Sequence, residues 1–153
     1  MMKRVGLFPG SFDPFTKGHE AIAWKALELF DELIIGIGIN SRKQYLFDIE
    51  KRKHHIQSLF VGERRISIQV YQELTVTFCQ KIGASHIIRG LRDSKDFQYE
   101  KSIAHMNFQL VGIETVFLLT NQEYSAVNSS IIREIHLNGS DISSFVTSPK
   151  LLV

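Results

Sequence analysis

Cysteine and tryptophan each occur once in these 153 residues, and proline only three times. Cys79 has no partner for an intramolecular disulfide and cannot alone build a thiolate metal site. That usage fits a reducing compartment. Long hydrophobic runs are also lacking: none approaches the ~20 apolar residues that span a bilayer. Met1-Met2-Lys3-Arg4 has the charge of a signal n-region, but Pro9-Gly10 and Asp13 break the apolar stretch behind it. The expectation is a soluble, cytoplasmic protein with no membrane partner. Charge of one sign is missing too, with 18 Lys+Arg against 16 Asp+Glu, a net +2. That balance and the absence of a basic stripe argue against nucleic acid as a partner. What is there is ordinary for a folded chain, 44% hydrophobic and 22% charged, which excludes disorder. The length suits one domain, residues 1–153, with a substantial core.

No repeat, low-complexity tract or linker interrupts the chain. Apolar runs alternate with helical patterns throughout. Val5 to Phe8 reads as a short buried strand, and residues 19–30 space Ala23, Ala26, Leu27 and Phe30 on one helix face. Leu33 to Ile39 is apolar on both faces, as a central parallel strand is. A helix is predicted over 48–60 with Asp48 as N-cap, then a strand over 66–71. Next come a short helix over 75–82 with Gly83 past its end, and a strand over 86–88. A long helix over 94–110, a strand over 114–119 and a helix over 128–137 follow, with one more turn expected in the tail from Asp141. Strand followed by helix, about five times over, argues an α/β fold with an open parallel sheet covered on both faces. Right-handed crossovers put every strand's carboxyl end on one edge, where such folds bind ligands.

Those strand ends carry anion donors. Phe8-Pro9-Gly10-Ser11-Phe12-Asp13-Pro14-Phe15-Thr16-Lys17-Gly18-His19 links the first strand to a helix N-terminus, whose free N–H groups suit a phosphate. It is neither a P-loop nor a dinucleotide G-x-G-x-x-G, and a plain capped turn would look similar. His19 at the helix start can donate an N–H to a phosphate oxygen, and Ser11 can add a hydroxyl. Arg42-Lys43 follows the second strand, where a solvated basic loop is the blander reading. Arg89-Gly90-Leu91-Arg92 follows the fourth, and its two guanidiniums can bracket a phosphate while Gly90 allows close approach. Asn128-Ser129-Ser130 opens the last helix, as caps or as further donors. There is no carboxylate pair for glycoside chemistry, no nucleophile elbow and no H-E-x-x-H. His54, His55, His86, His105 and His136 read as structural or surface residues, and Phe8, Phe12 and Phe15 as packing.

Thr16-Lys17-Gly18-His19 resembles the H/T-x-G-H signature of the nucleotidylyltransferase superfamily, and Ser129-Ser130-Ile131-Ile132-Arg133 resembles its second signature. Pro9 to Pro14, Ile88 to Arg92, Asp96 to Glu100 and Ala104 to Asn107 extend the likeness. They make residues 3–148 similar to the bacterial phosphopantetheine adenylyltransferase family. The resemblance implies a Rossmann-like nucleotidylyltransferase fold, with a five-stranded parallel sheet and helices on both faces. It implies transfer of the adenylyl group of ATP to 4′-phosphopantetheine, giving dephospho-CoA and pyrophosphate. It further implies Mg²⁺, a homohexamer and coenzyme A as feedback inhibitor.

By position, the resemblance puts His19 at the α-phosphate, Lys43 between the attacking phosphate and the nucleotide, and Arg92 at the leaving pyrophosphate. Ser11, where the family more often has threonine, would lie between the substrates, with Arg89 on the pantetheine phosphate and Thr75 along its arm. Phe12, Gly90, Leu91, Arg92 and Glu100 would line the ATP pocket, and Tyr124, Ser125, Ala126, Val127, Asn128, Ser129 and Ser130 would close over it. Tyr124 stands where tryptophan is frequent, and Val127-Asn128 replaces an Ile-Ser pair. The chemistry is consistent with these residue types. A phosphate monoester needs no strong base, so the work is positioning and charge neutralisation. The rival readings are adenylyl transfer to nicotinamide mononucleotide or glycerol 3-phosphate, and a regulatory nucleotide-binding module without turnover.

Overall fold

A computed structural model describes all of residues 1–153. Five strands form one all-parallel sheet: β1 (Val5–Gly10), β2 (Glu32–Gly38), β3 (Ile66–Tyr71), β4 (His86–Leu91) and β5 (Glu114–Leu119). Their order is β3-β2-β1-β4-β5, so the chain reverses direction across the sheet between β1 and β4. The connecting helices are α1 (Lys17–Leu27), α2 (Ile49–Leu59), α3 (Thr75–Ile82) and α4 (Ser94–Val111), and α5 (Ser129–Leu137) follows β5.

Alternation along the strands divides the core between the two faces. Phe8, Ile35 and Ile88 point into a layer with Ile22, Ala23 and Ala26 of α1 and Ile56 of α2. Leu7, Ile34 and Ile87 point the other way, onto Val76, Phe78 and Cys79 of α3. The Cys79 thiol is enclosed there, and burial pushes its pKa up to about 11. A third cluster joins Phe47 and Ile132 of α5 to the tail residues Ile142, Val146 and Leu152. No helix is long and apolar enough to cross a membrane.

Local signals set the helix ends. Asp48, Asp93 and Asn128 cap their helices through side-chain oxygens, and left-handed Gly83 and Gly112 stop α3 and α4. Several boundaries differ from the sequence reading: β1 runs on to Gly10, and α1 ends at Leu27, short of Phe30. α1 starts at Lys17 because Thr16 and His19 form a reciprocal capping box. β4 runs on through Arg89 and Gly90 because its ladder to β5 continues as far as Leu91 and Leu119. Arg89 therefore sits within the strand, not after it.

The long helix α4 has Glu100 as its one buried residue. Tyr99, Ile103, Met106, Phe108 and Leu110 on it are exposed.

The site depends on how β1 meets its neighbours. β1 pairs with β2 at six successive positions, from Val5 to Gly10, but with β4 only at Gly6–His86 and Leu7–Ile87. Beyond Leu7 the two strands part, and a crevice opens at the topological switch point.

Candidate active site

Two cavities open from that crevice. The first, about 370 Å³, lies over the turn after β1, the start of α1, the end of β4 and the start of α5. The second, about 820 Å³, runs between the loops after β2 and β3 and one face of α4. They share Pro9, Gly10, Ser11, Arg89 and Glu100, so they meet where β1 and β4 part. Both lie in the size range of small-molecule sites.

Arg89 fills the gap between the strands. Its Nη1 donates to the Pro9 carbonyl at 2.6 Å, and its Nε and Nη2 donate to the two Glu100 oxygens at 3.0 and 2.7 Å. Pro9 has no N–H, so the chain places no ladder donor toward β4 at that point. Arg92 is held in the same manner: Nε and Nη2 reach Asp96 at 3.1 and 3.2 Å, and Nη1 reaches the Val127 carbonyl. Arg133 also faces the first cavity, but its partners are the Asp13 carbonyl at 2.9 Å and Ser130 Oγ at 3.0 Å. It alone of the three carries no carboxylate partner.

His19 is fixed in one tautomer. The Thr16 N–H donates to its Nδ1 at 2.9 Å, so the ring's own proton resides on Nε2. The residue keeps some exposure, but its ring is packed by Phe8, Phe12 and Phe15 at centroid distances of 6.2, 5.1 and 5.4 Å. That enclosure, then the positive charges of Arg89 and Arg92, pushes its pKa down to about 3. His19 is thus a neutral N–H donor.

The helix N-termini offer less than the sequence suggested. In α1 the Lys17 N–H donates to the Phe145 carbonyl, and the His19 and Glu20 N–H groups to Thr16. Only the Gly18 N–H is left for a ligand. In α5 Asn128 accepts from Ser130 and Ile131, and Ile132 donates to the Asn128 carbonyl, leaving the Ser129 N–H. At the second cavity the first turn of α3 has no side-chain cap: the Phe78 N–H donates to the Leu74 carbonyl, and the N–H groups of Thr75 and Val76 are open.

The structure brings Ser11, Phe12, His19, Arg89, Gly90, Arg92, Glu100, Tyr124, Val127, Asn128, Ser129 and Ser130 around the first cavity. Lys43 and Thr75 line the second, and Lys43 Nζ donates to Ser11 Oγ at 3.2 Å across the seam. Thr75 Oγ1 pairs with the Tyr71 hydroxyl at 2.9 Å. Leu91, Ser125 and Ala126 line neither cavity: Leu91 is buried, and the other two are exposed. Arg133, which closes the second signature, lines the first cavity without a role assigned from sequence. It also missed the α4 face of the second cavity, Tyr99, Ile103, Ala104, Asn107 and Leu110. Their spacing of three and four residues was the available signal.

A parallel sheet, a capped T-x-G-H turn at the switch point and a ring of arginines define a nucleotidylyltransferase-type site. The Cytidylyltransferase-like family model matches residues 7–135. A phosphopantetheine adenylyltransferase from Flavobacterium psychrophilum is 48% identical over 143 residues, covering 94% of this chain and 95% of that protein. One of the same name from Bacteroides thetaiotaomicron is 47% identical with the same coverage of each chain. The chain belongs to the phosphopantetheine adenylyltransferase family.

Solved structures agree in fold. A putative nicotinate-nucleotide adenylyltransferase from Vibrio parahaemolyticus superposes with a TM-score of 0.69 at 19% identity, covering 98% of this chain and 96% of that one. A bifunctional NMN adenylyltransferase/ADP ribose pyrophosphatase from Francisella tularensis gives 0.69 at 19% identity, covering 97% of this chain and 47% of that one.

The His19 environment has a consequence for acid stability. The unfolded chain protonates His19 near pH 6.5, whereas the folded chain keeps the ring neutral until about pH 3. Its contribution is complete above pH 6.5 and is lost as the pH falls through that window. Urea unfolding of His19→Gln at pH 7 and pH 4.5 should show a smaller acid loss of stability than the wild type.

Proposed function

We propose that the chain transfers the adenylyl group of ATP to 4′-phosphopantetheine, forming dephospho-CoA and releasing pyrophosphate. The observation that carries this reading is the junction at Ser11 and Arg89 of two cavities with different chemistry, in a chain of this family. The first is polar and ringed by guanidiniums, as a nucleotide triphosphate requires. The second is long and walled by Ile39, Tyr71, Leu74, Val76 and Ile103, as an extended pantetheine arm requires. The uncapped N–H groups beginning α3 at Thr75 suit the arm's amide oxygens.

In this reading a phosphate oxygen of phosphopantetheine attacks the α-phosphorus of ATP, and the bond to the bridging β-oxygen breaks. The electron pair leaves with pyrophosphate, and no proton has to move. His19 donates from Nε2–H to an α-phosphate oxygen, and the Gly18 N–H adds a second donor. Lys43, held at Ser11, neutralises the attacking phosphate. Arg89 grips that phosphate from the crevice, with Glu100 fixing its plane. Arg92 and Arg133, with the Ser129 N–H, take the charge that grows on the leaving group. Tyr124, Val127 and Asn128 bound the nucleotide.

The residues present do not suit a resident metal ion. Asp13 accepts from two backbone N–H groups, while Asp96 and Glu100 are taken by arginines. No group of three metal-ligating His, Cys, Asp or Glu side chains is assembled in the chain. Mg²⁺ therefore belongs to the substrate, as MgATP. Coenzyme A carries both an adenylate and a pantetheine arm, so it would occupy both cavities and act as a feedback inhibitor. The reading is of a cytoplasmic enzyme working as a homohexamer. Met106 and Phe108 of α4, exposed and outside the second cavity, are the surface offered for assembly, and sedimentation equilibrium should return six times the 17.5 kDa chain mass.

The test is pyrophosphate release from pure protein with MgATP and, in turn, phosphopantetheine, nicotinamide mononucleotide and glycerol 3-phosphate. Turnover should require phosphopantetheine. His19→Ala should fold normally and lose about 10²–10³ in kcat with little change in either KM. An equal loss of affinity and rate would contradict a transition-state role for the ring. Arg89→Ala should chiefly raise the KM for phosphopantetheine, and an unchanged KM would remove Arg89 from that phosphate.

A further inference from the structure

Lys43 is an exposed lysine on a surface loop, a side chain with many rotamers to lose. Its ammonium nevertheless stands 3.2 Å from Ser11 Oγ at the seam of the cavities. The loop beneath it is held from an unexpected place. Arg52, on α2, is 2% exposed and lines neither cavity. Its Nη1 donates to the Ser11 carbonyl at 2.6 Å and its Nε to the Phe47 carbonyl at 2.9 Å. One guanidinium thus ties the turn after β1 to the far end of the Lys43 loop. Asp13 makes the converse tie, accepting from the Leu46 and Phe47 N–H groups at 2.8 and 2.9 Å.

Tyr45 couples this clamp to the lysine. Its ring lies 4.3 Å from Arg52 Cζ and 5.5 Å from Lys43 Nζ. Its hydroxyl accepts the Asn40 N–H at 2.8 Å, and the Lys43 N–H donates to the Asn40 carbonyl at 3.0 Å, which closes the loop on itself. A buried cation that pairs directly with no carboxylate is expensive to keep, and here both of its hydrogen bonds go to the two loops that must be registered.

We infer that Arg52 and Tyr45 are positioning residues that clamp the Lys43 loop to the Ser11 turn and hold the Lys43 ammonium where the two cavities meet. The inference rests on the reading of Lys43 as the charge that receives the attacking phosphate. Arg52→Lys keeps the charge but loses the fork. Tyr45→Leu removes the shared ring from a partly exposed loop position and is expected to fold even if Arg52→Lys does not.

The test is steady-state kinetics of each variant alone and combined with Lys43→Ala, together with amide hydrogen exchange. Each single variant should lower kcat about ten- to a hundredfold with the KM for ATP within about twofold. In the Lys43→Ala background the same changes should cost less than about twofold, since the group they position is gone. Exchange across residues 40–47 should quicken while α1 and the sheet stay unchanged. The proposal is overturned by kcat near wild type in Tyr45→Leu, by losses that multiply with Lys43→Ala, or by unchanged exchange over 40–47. A wild-type protein that forms no pyrophosphate strikes the adenylyl-transfer reading, and the exchange result then decides the clamp by itself.

Discussion

The parting of β1 from β4 is the constraint on which the site depends. The ladder between them ends at Leu7 and Ile87, while β1 stays paired with β2 as far as Gly10. A strand held on one side and released on the other leaves a backbone carbonyl, that of Pro9, with no ladder partner in the centre of the sheet. Arg89 satisfies it, and Glu100 satisfies Arg89. The crevice is therefore not a gap left by imperfect packing. It is a polar seam whose hydrogen bonds are accounted for, and both cavities open from it. Removing either member of the Arg89–Glu100 pair would leave the other as an uncompensated, largely enclosed charge.

The same economy governs the rest of the site. Arg92 is braced by Asp96, Arg133 by a carbonyl and a hydroxyl, and Lys43 by Ser11. His19 adds a donor without adding a charge, because the aromatic rings around it and the neighbouring guanidiniums keep it neutral. A site meant for two polyanions thus holds its cations in place beforehand and leaves few free donors. The reorganisation that a flexible basic loop would require at the moment of reaction is avoided.

Much of this was legible in the sequence. The unbroken apolar run from Leu33 to Ile39 marked a central strand, and Asp48, Asn128 and Gly83 marked helix ends, because caps and buried strands use local chemistry. The turn from Pro9 to His19 and the end of β4 stood out for the same reason. What stayed hidden depends on tertiary contacts. Arg89-Gly90 looks like a loop in sequence, and only its ladder with β5 makes it strand. Arg52 lies in a run of charged residues that reads as a solvated helix face, yet it is buried against two loops distant in the chain. The periodicity of α4 is the same whether its apolar face meets a core or is left open, and it is left open. Likeness along a segment does not say which side chains face a cavity: Leu91 is buried, and Ser125 and Ala126 are exposed, beside neighbours that line the first one.

The solitary thiol has a practical consequence. Cys79 faces the sheet from α3 with almost no exposure, and its burial disfavours the thiolate on which alkylation and oxidation depend. The folded protein therefore offers sulfur-directed reagents no ready target. A cysteine introduced at an exposed position away from both cavities and from α4, such as Glu28 just past α1, would be the one labelled position. Spectroscopic probes can be attached there with the native sequence otherwise intact.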